Sequence, residues 1–518
     1  MARKIQLLVI FLSFTSFFSP TSSITSSNDI DWWCNRTPYP KPCKYYIGPN
    51  HFALINNTEF GKMMVQVAMD QTLNAWRDAK QLIPKCQDER ENVALADCLS
   101  LYDHTILQLN RILKPDTKYN QFDTQTWLST ALTNLDTCRA GAVELGVLDF
   151  LMPIMLNNAS ELISDSLAIN DGLQGQKHYN ERFPSWVSSH DRKLLQSSSP
   201  VGKANLVVAR DGSGHFRTIR EALVAAANRS GNRRFVIHVK TGVYSENIEI
   251  GMDLDNIMVV GDGLKETIIT GSRSVGSGTT SFNSATVGIM GNGFIARDIT
   301  FRNTAGPQNY QAVALRSGSD QSVFYRCGIQ GYQDTLFVLS QRQFYKQCNI
   351  YGTIDIIFGN AAAVFQSCTI YVRRPLHGQD NVITAQGRAD PNQNTGISIH
   401  NSRVMAAPDL KPVLNSFKTY LGRPWQQYSR TVYLKTFLDA LVDPAGWLAW
   451  EYTDFALDTV YYGEYGNYGP GSLTSGRVKW PGFRHITDPK EASMFTAGNF
   501  IAGRLWLPAT GVPFTMSL

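Results

Sequence analysis

YQDTLFVLSQRQFYKQCNIYGTIDIIFG, residues 332–359, carries two aspartates, Asp334 and Asp355, 21 residues apart. Both stand among apolar, β-branched and aromatic neighbours that predict buried strand, and Asp is depleted from strands. The flanking sequence supplies a frame for them. Tyr325-Arg-Cys327-Gly-Ile329, Tyr345-Lys-Gln-Cys348-Asn-Ile350 and Phe365-Gln-Ser-Cys368-Thr-Ile370 each run aromatic, cysteine, isoleucine, with the cysteines 21 and then 20 residues apart. A period near 20, built of short strands with no helix between them, predicts a solenoid of parallel strands, a β-helix. Residues one period apart then stack on neighbouring strands about 4.8 Å apart. Asp334 and Asp355 share the register of Cys327 and Cys348, and Gln311 and Gln333, 22 apart, fall close to it. The expectation is one patch with two carboxylates and two amides.

Two carboxylates this close do not both ionise easily, so one has a raised pKa while the other stays charged. Such a pair supplies a nucleophile or base together with an acid. The glutamine amides offer neutral N–H donors for an oxyanion. Stacked acids also suit a calcium ion or a solvated ladder, and the repeat alone leaves these alternatives open. In LGRPW, Arg423 stands two residues before Trp425. An arginine beside a carboxylate pair holds one member ionised, and a tryptophan face suits a sugar ring; both also suit plain packing.

Other chemistries lack their motifs. No G-x-S-x-G elbow occurs, and the nine histidines form no HExxH. Gly291-Asn-Gly293-Phe-Ile-Ala296 mimics a dinucleotide fingerprint but runs into the strand-like ARDITF, so it reads as a turn.

The chain of 518 residues is long enough for two domains. It opens with Arg3 and Lys4, an apolar run from Ile5 to Phe18 and small residues, the pattern of a secretory leader over residues 1–23. Export agrees with sequons at Asn35, Asn56, Asn158 and Asn228 and with eight cysteines. Residues 24–181 read as a helical bundle: VALADCLSLYDHTILQLNRILK and TQTWLSTALTNLDTCRAGAVELG repeat Leu at helical spacing. Some of Cys34, Cys43, Cys86, Cys98 and Cys138 tie it. Residues 182–204, polar and serine-rich, read as a linker with a dibasic processing site at Arg192-Lys193-Leu194-Leu195. From 205 to 518 short β-rich segments punctuated by Gly and Asn take over. Residues 1–195 carry 18 Lys and Arg against 20 Asp and Glu, and residues 196–518 carry 30 against 23. A basic exported half favours polyanions, which outside a cell are acidic polysaccharides, phospholipid surfaces or stray nucleic acid.

GVYSE (242–246), QAVAL (311–315), YQDTL (332–336), IDIIFGNA (354–361) and LGRPW (421–425) stand in the order found in plant pectin methylesterases, and residues 205–518 resemble that family through the closing FIAGRLWLPATGVPF. The helical half resembles the family's inhibitor domain, and FPSWVSSHDRKLLQ its processing linker. The resemblance implies a right-handed parallel β-helix behind an all-α four-helix inhibitor-like prodomain. It implies demethylesterification of homogalacturonan in the cell wall without metal or other cofactor. It implies Asp355 as nucleophile, Asp334 as acid and then base, and Gln333 with Gln311 at the oxyanion. Arg423 would pair with Asp355, Trp425 would stack on a galacturonate ring, and Thr280 in GTTSF would touch substrate. Cys348–Cys368 is the family's disulfide pairing; the period equally allows Cys327–Cys348. Implied partners are methylesterified pectin, the chain's own prodomain, separate inhibitor proteins and a subtilisin-like processing protease. Ile356 stands where the family has Phe, Leu339 where His is common, and Asn309-Tyr310 replaces a common Lys before QAVAL.

Overall fold

A coil of parallel strands must turn corners, and a left-handed residue turns the chain sharply without a long loop. Asp298, Arg326, Gln347, Ser367, Asn401 and Lys435 all have φ between 46° and 56° and recur once per coil. Each is followed by a residue that turns inward, and Cys327, Cys348 and Cys368 hold that position on successive coils. The aromatic–cysteine–isoleucine repeat is therefore a strand end, a corner and the start of the next strand.

The computed structural model describes residues 30–47, 57–115, 119–172 and 204–518. The expected leader, Asn56, all but Ala204 of the 182–204 linker and its dibasic site lie outside the described residues. Three parallel sheets of 11, 7 and 8 strands build residues 206–485 into a β-helix. Ile329, Ile350 and Ile370 stack in register, as the repeat predicts. One detail differs: Tyr345 pairs with Phe324, not Tyr325, and then with Phe365. The rings of Phe324, Tyr345 and Phe365 stack at 4.7 and 4.5 Å. The Tyr325 coil has one residue fewer between its aromatic and its cysteine, so matching by residue type slips the register by one.

The expected Cys348–Cys368 bridge is corrected: Cys327, Cys348 and Cys368 are buried free thiols. The ladder spacing of about 4.8 Å would itself allow a bridge, but each thiol turns to a carbonyl of the coil before it, Cys348 to Phe324 at 3.3 Å and Cys368 to Tyr345 at 3.5 Å. The Cys348 N–H instead faces the Cys368 sulfur at 3.4 Å.

The helical half comprises α1 (Ile30–Cys34), α2 (Pro40–Ile47), α3 (Asn57–Leu82), α4 (Glu89–Leu113), α5 (Gln121–Glu144), α6 (Leu148–Met155) and α7 (Ala159–Gly172). The long helices α3, α4, α5 and α7 pack as the expected bundle. Asp88 caps α4 by accepting the Glu91 N–H at 3.0 Å, and Asn120 and Asp123 close a capping box on α5. Disulfides Cys34–Cys43 and Cys98–Cys138 tie it, and Cys86 is free. Helix α5 is buried on more than one side. Leu128, Leu132 and Leu135 join the apolar core, while Thr126, Ser129 and Thr133 meet the β-helix. This polar face of α5 is one part of the docking of the two halves, beside contacts from α4 and α7 and a shared apolar cluster.

Candidate active site

Asp334 and Asp355 do not lie within strands. Each stands two residues before a strand of the seven-stranded sheet, Leu336–Val338 and Ile357–Gly359 respectively. Each is left-handed, with φ of 60° and 48°. That resolves the oddity of acids in a β-rich run, since Asp tolerates this conformation better than β-branched residues do. The corners are locked by their neighbours. The Asp334 N–H donates to the Ile354 carbonyl at 2.9 Å, stitching one coil to the next. The Thr335 hydroxyl reaches the carbonyls of Tyr332 and Tyr351, both at 3.0 Å. Arg373 lies over the Tyr332 ring at 3.7 Å and donates to its hydroxyl.

The carboxylates are both buried, 7% exposed for Asp334 and 6% for Asp355. Arg423 approaches from the strand Thr419–Pro424, with Nε on one Asp355 oxygen at 2.9 Å and Nη2 on the other at 2.6 Å. This bidentate pair holds Asp355 as the carboxylate. Asp334 has no such support, and its Oδ1 is buried without a hydrogen-bond partner. Burial first, then the charge of Asp355, pushes its pKa well above the ordinary carboxylate range, with Glu144 adding and Arg423 opposing. One acid is thus kept ionised and its neighbour protonated.

Gln333 directly precedes Asp334, and its carbonyl accepts the Ala312 N–H at 3.2 Å, which brings Gln311 alongside on the previous coil. Both glutamine side chains are part-buried and make no hydrogen bond among the described residues. Their amides remain free to donate. Trp425 is part-buried rather than exposed, edge-on to Phe337 at 6.4 Å and Phe358 at 5.9 Å, while those two rings stack at 4.3 Å. Arg423 also lies over Trp450 at 4.5 Å.

Thr280 is fully buried, and its cover comes from the helical half: its hydroxyl donates to Asp97 of α4. The next residue, Ser281, donates its N–H to Glu144 of α5 at 2.7 Å. Phe282, Phe337, Phe358 and Trp425 share one apolar cluster with the helices. Arg342, fully enclosed, binds Asp320 on its own side at 2.6 Å and Asp123 of α5 at 2.8 Å. Asp97, Asp123, Glu144 and Arg342 escaped sequence reading. The available signal was faint, an acid within the apolar run ALADCLS and another closing AGAVE.

The described sequons differ in setting. Asn35 and Asn228 are exposed, whereas Asn158 is part-buried and engaged with Tyr46 at 3.2 Å and Glu161 at 2.5 Å.

Both halves of the chain match known protein families. The pectinesterase family profile matches residues 205–504, and that of the plant invertase/pectin methylesterase inhibitor family matches residues 28–169. Pectinesterase 2 of Citrus sinensis is 54% identical over 520 residues, covering all of both chains. The probable pectinesterase/pectinesterase inhibitor 17 of Arabidopsis thaliana is 56% identical over 514 residues, 99% of each. Among solved structures, the pectin methylesterase from carrot is 57% identical and superposes with a TM-score of 0.61, covering 62% of this chain and all of its own.

Proposed function

This chain belongs to the pectinesterase family, with an inhibitor-family domain ahead of the catalytic one, and we propose that it hydrolyses the methyl esters of homogalacturonan through Asp355 and Asp334. The observation that carries the reading is the asymmetry of the two acids. Arg423 fixes one as a carboxylate, and burial keeps the other protonated.

Asp355 attacks the ester carbonyl carbon, and the tetrahedral oxyanion forms against the amides of Gln333 and Gln311. When the intermediate collapses, the C–O bond to the methoxy group breaks. Asp334 gives that oxygen its proton, and methanol leaves. The product of this half is a mixed anhydride between Asp355 and the galacturonate carboxyl. Asp334, now ionised, takes a proton from water. The resulting hydroxide equivalent attacks the anhydride and breaks its C–O bond to Asp355, which frees the sugar carboxylate and the Asp355 carboxylate, releases one proton to solvent and leaves Asp334 protonated again. Trp425 packs against a sugar ring beside the reacting unit. Release of methanol from methylesterified pectin tests the reading. Asp355→Asn abolishing release supports it, and full release by that variant overturns it.

A second element concerns the helical half. Thr280, expected to touch substrate, is buried under Asp97, and Glu144 adds to the field that keeps Asp334 protonated. The helical domain therefore closes the cleft until the linker is cut after Leu195 by a processing protease. The leader and sequons support action after export, in the wall. A chain with Arg192→Ala and Lys193→Ala should release methanol far more slowly than the processed enzyme; equal rates overturn the closure.

A further inference from the structure

A cleft of about 980 Å3 opens where α5 and α7 meet the C-terminal end of the β-helix, and none of the residues placed in the reaction lines it. Arg388 and Arg430 converge in its wall on one acceptor. The Gln393 carbonyl takes Nε of Arg388 at 2.9 Å and Nη2 of Arg430 at 3.3 Å. Arg388 also donates to the Pro391 carbonyl, and Arg430 to that of Thr395 at 2.7 Å. Among the described residues neither guanidinium makes an ion pair. The contrast with Arg342, which takes two carboxylates, is sharp.

Two cations sharing a carbonyl repel one another, and burial sharpens the cost. Desolvation pulls Arg388 down to about 10 and lowers Arg430 as well, with the charge of Arg388 adding to the latter. Asp390, buried and held by the Ser164 hydroxyl, and then Asp171, which lines the cleft at the end of α7, act on Arg388 from a distance, and Asp171 acts on Arg430. The remaining wall combines flat apolar groups with amides: Phe122, Phe500, Asn392 and Asn394. Paired guanidiniums fit a carboxylate, and rings with amides fit a sugar. The volume stands at the top of the small-molecule range of about 300–1,000 Å3, far above the need of a single inorganic anion.

We propose that this seam cleft binds an unesterified oligogalacturonate, the acidic product of the reaction, with one carboxylate between Arg388 and Arg430. The identity of the ligand rests on the pectin reading above. The site takes Phe122, Gln125 and Asp171 from the helical half, so it exists only while the two halves are docked. A bound uronate chain therefore reports on, and stabilises, the docked form.

Calorimetric titration of the uncleaved full chain with trigalacturonate tests this, beside neutral galactotriose and inorganic phosphate as probes. Trigalacturonate should bind saturably, and Arg388→Gln with Arg430→Gln should weaken it at least tenfold. Asp171→Asn, which removes the competing negative charge that lines the cleft and acts on both guanidiniums, should tighten it severalfold. Galactotriose and phosphate should bind at least tenfold more weakly. Unchanged affinity in the double variant overturns the site, as does equally tight binding of phosphate. Should the double variant fail to fold, Asp171→Asn decides, and no change in its affinity overturns the proposal. Methanol release by the processed enzyme is measured separately. Release without trigalacturonate binding sinks the seam site alone, and binding without release sinks the esterase reading alone.

Discussion

Asp334 and Asp355 occupy matching corners of successive coils, both left-handed, both buried, each two residues ahead of a strand of the same sheet. Backbone position does not separate them. What differs is the third coil along, where Arg423 arrives on the strand Thr419–Pro424 and reaches only Asp355. A repeat fold therefore makes two equivalent acids for free, and one non-repeated cation divides their labour. The same contrast holds between Arg342, neutralised by Asp320 and Asp123, and the unpaired Arg388 and Arg430 of the seam. In each case charge balance, not backbone geometry, marks the chemistry.

The largest effect comes from breaking the pair itself. Asp355→Asn keeps the shape and removes the nucleophile, and Asp334→Asn removes the proton donor. Groups that act as a unit lose activity together, so each change should cost at least about a thousandfold in kcat and the double variant little more. Nearly additive losses in steady-state methanol release would mean that the two corners act independently. Arg423→Gln makes the two corners alike instead of removing either. Its charge lowers Asp334 and supports Asp355 as the anion. Without it Asp334 holds its proton more tightly and Asp355 loses its bidentate partner, so the limb of the pH–rate profile set by Asp334 should move to higher pH, with kcat/KM down roughly a hundredfold. A profile that stays in place would show that Arg423 only packs.

The parts of this comparison that sequence exposed are those that repeat. A 21-residue period placed Asp334 over Asp355 because parallel strands stack at fixed register, and period needs no knowledge of side-chain contacts. The period could not tell Phe324 from Tyr325, because a corner can gain or lose a residue while the strands stay in register. It could not say that the acids sit at corners, because left-handed Asp and strand Asp look alike in a string of letters. The contacts of Asp97, Asp123 and Glu144 with the β-helix have no period at all. They join residues more than 130 positions apart through a docked helix face whose polar residues resemble ordinary solvated ones.

Asp97 sharpens the contrast from the helical side, as a buried acid that, like Asp334, has no ion pair among the described residues. Burial raises its pKa to about 7, while the Thr280 hydroxyl and Arg316 oppose and Glu249 and Glu144 add. Its ordinary value lies near 3.8, so folded and docked protein binds the proton more tightly than the unfolded chain does. The stability this brings is fully present below about pH 4 and is lost progressively as pH rises to about 7, on the order of 4 kcal/mol in all. Asp97→Asn removes the titration and keeps a partner for Thr280. Denaturant unfolding of the uncleaved chain at pH 4 and pH 7 should show a smaller difference for the variant. An identical pH dependence would place the titrating group elsewhere.

Tyr310 tests the claim that left-handed corners come cheaply. At Asp334 and Asp355 they do, because Asp tolerates the region, and at Asp334 the next coil also takes the backbone N–H. Tyr310 has φ 60° and ψ −141°, close to a region left almost wholly to glycine, on the coil before the dyad and directly ahead of Gln311. Its ring is 63% exposed, so apolar burial does not offset the strain. Such a residue costs about 1–3 kcal/mol, part of which glycine would give back through its greater freedom in the unfolded chain. Tyr310→Gly should therefore raise the stability of the processed enzyme by about 1 kcal/mol in chemical denaturation. The exposed ring stands directly ahead of Gln311, where an aromatic face beside the oxyanion amide would suit a methylesterified unit. The same variant should then raise KM for highly methylated pectin severalfold and leave kcat nearly unchanged. A variant that is more stable with KM unaltered would leave the strain real and the platform refuted. One that is less stable would show that the corner at residue 310 is as cheap as those of the two acids.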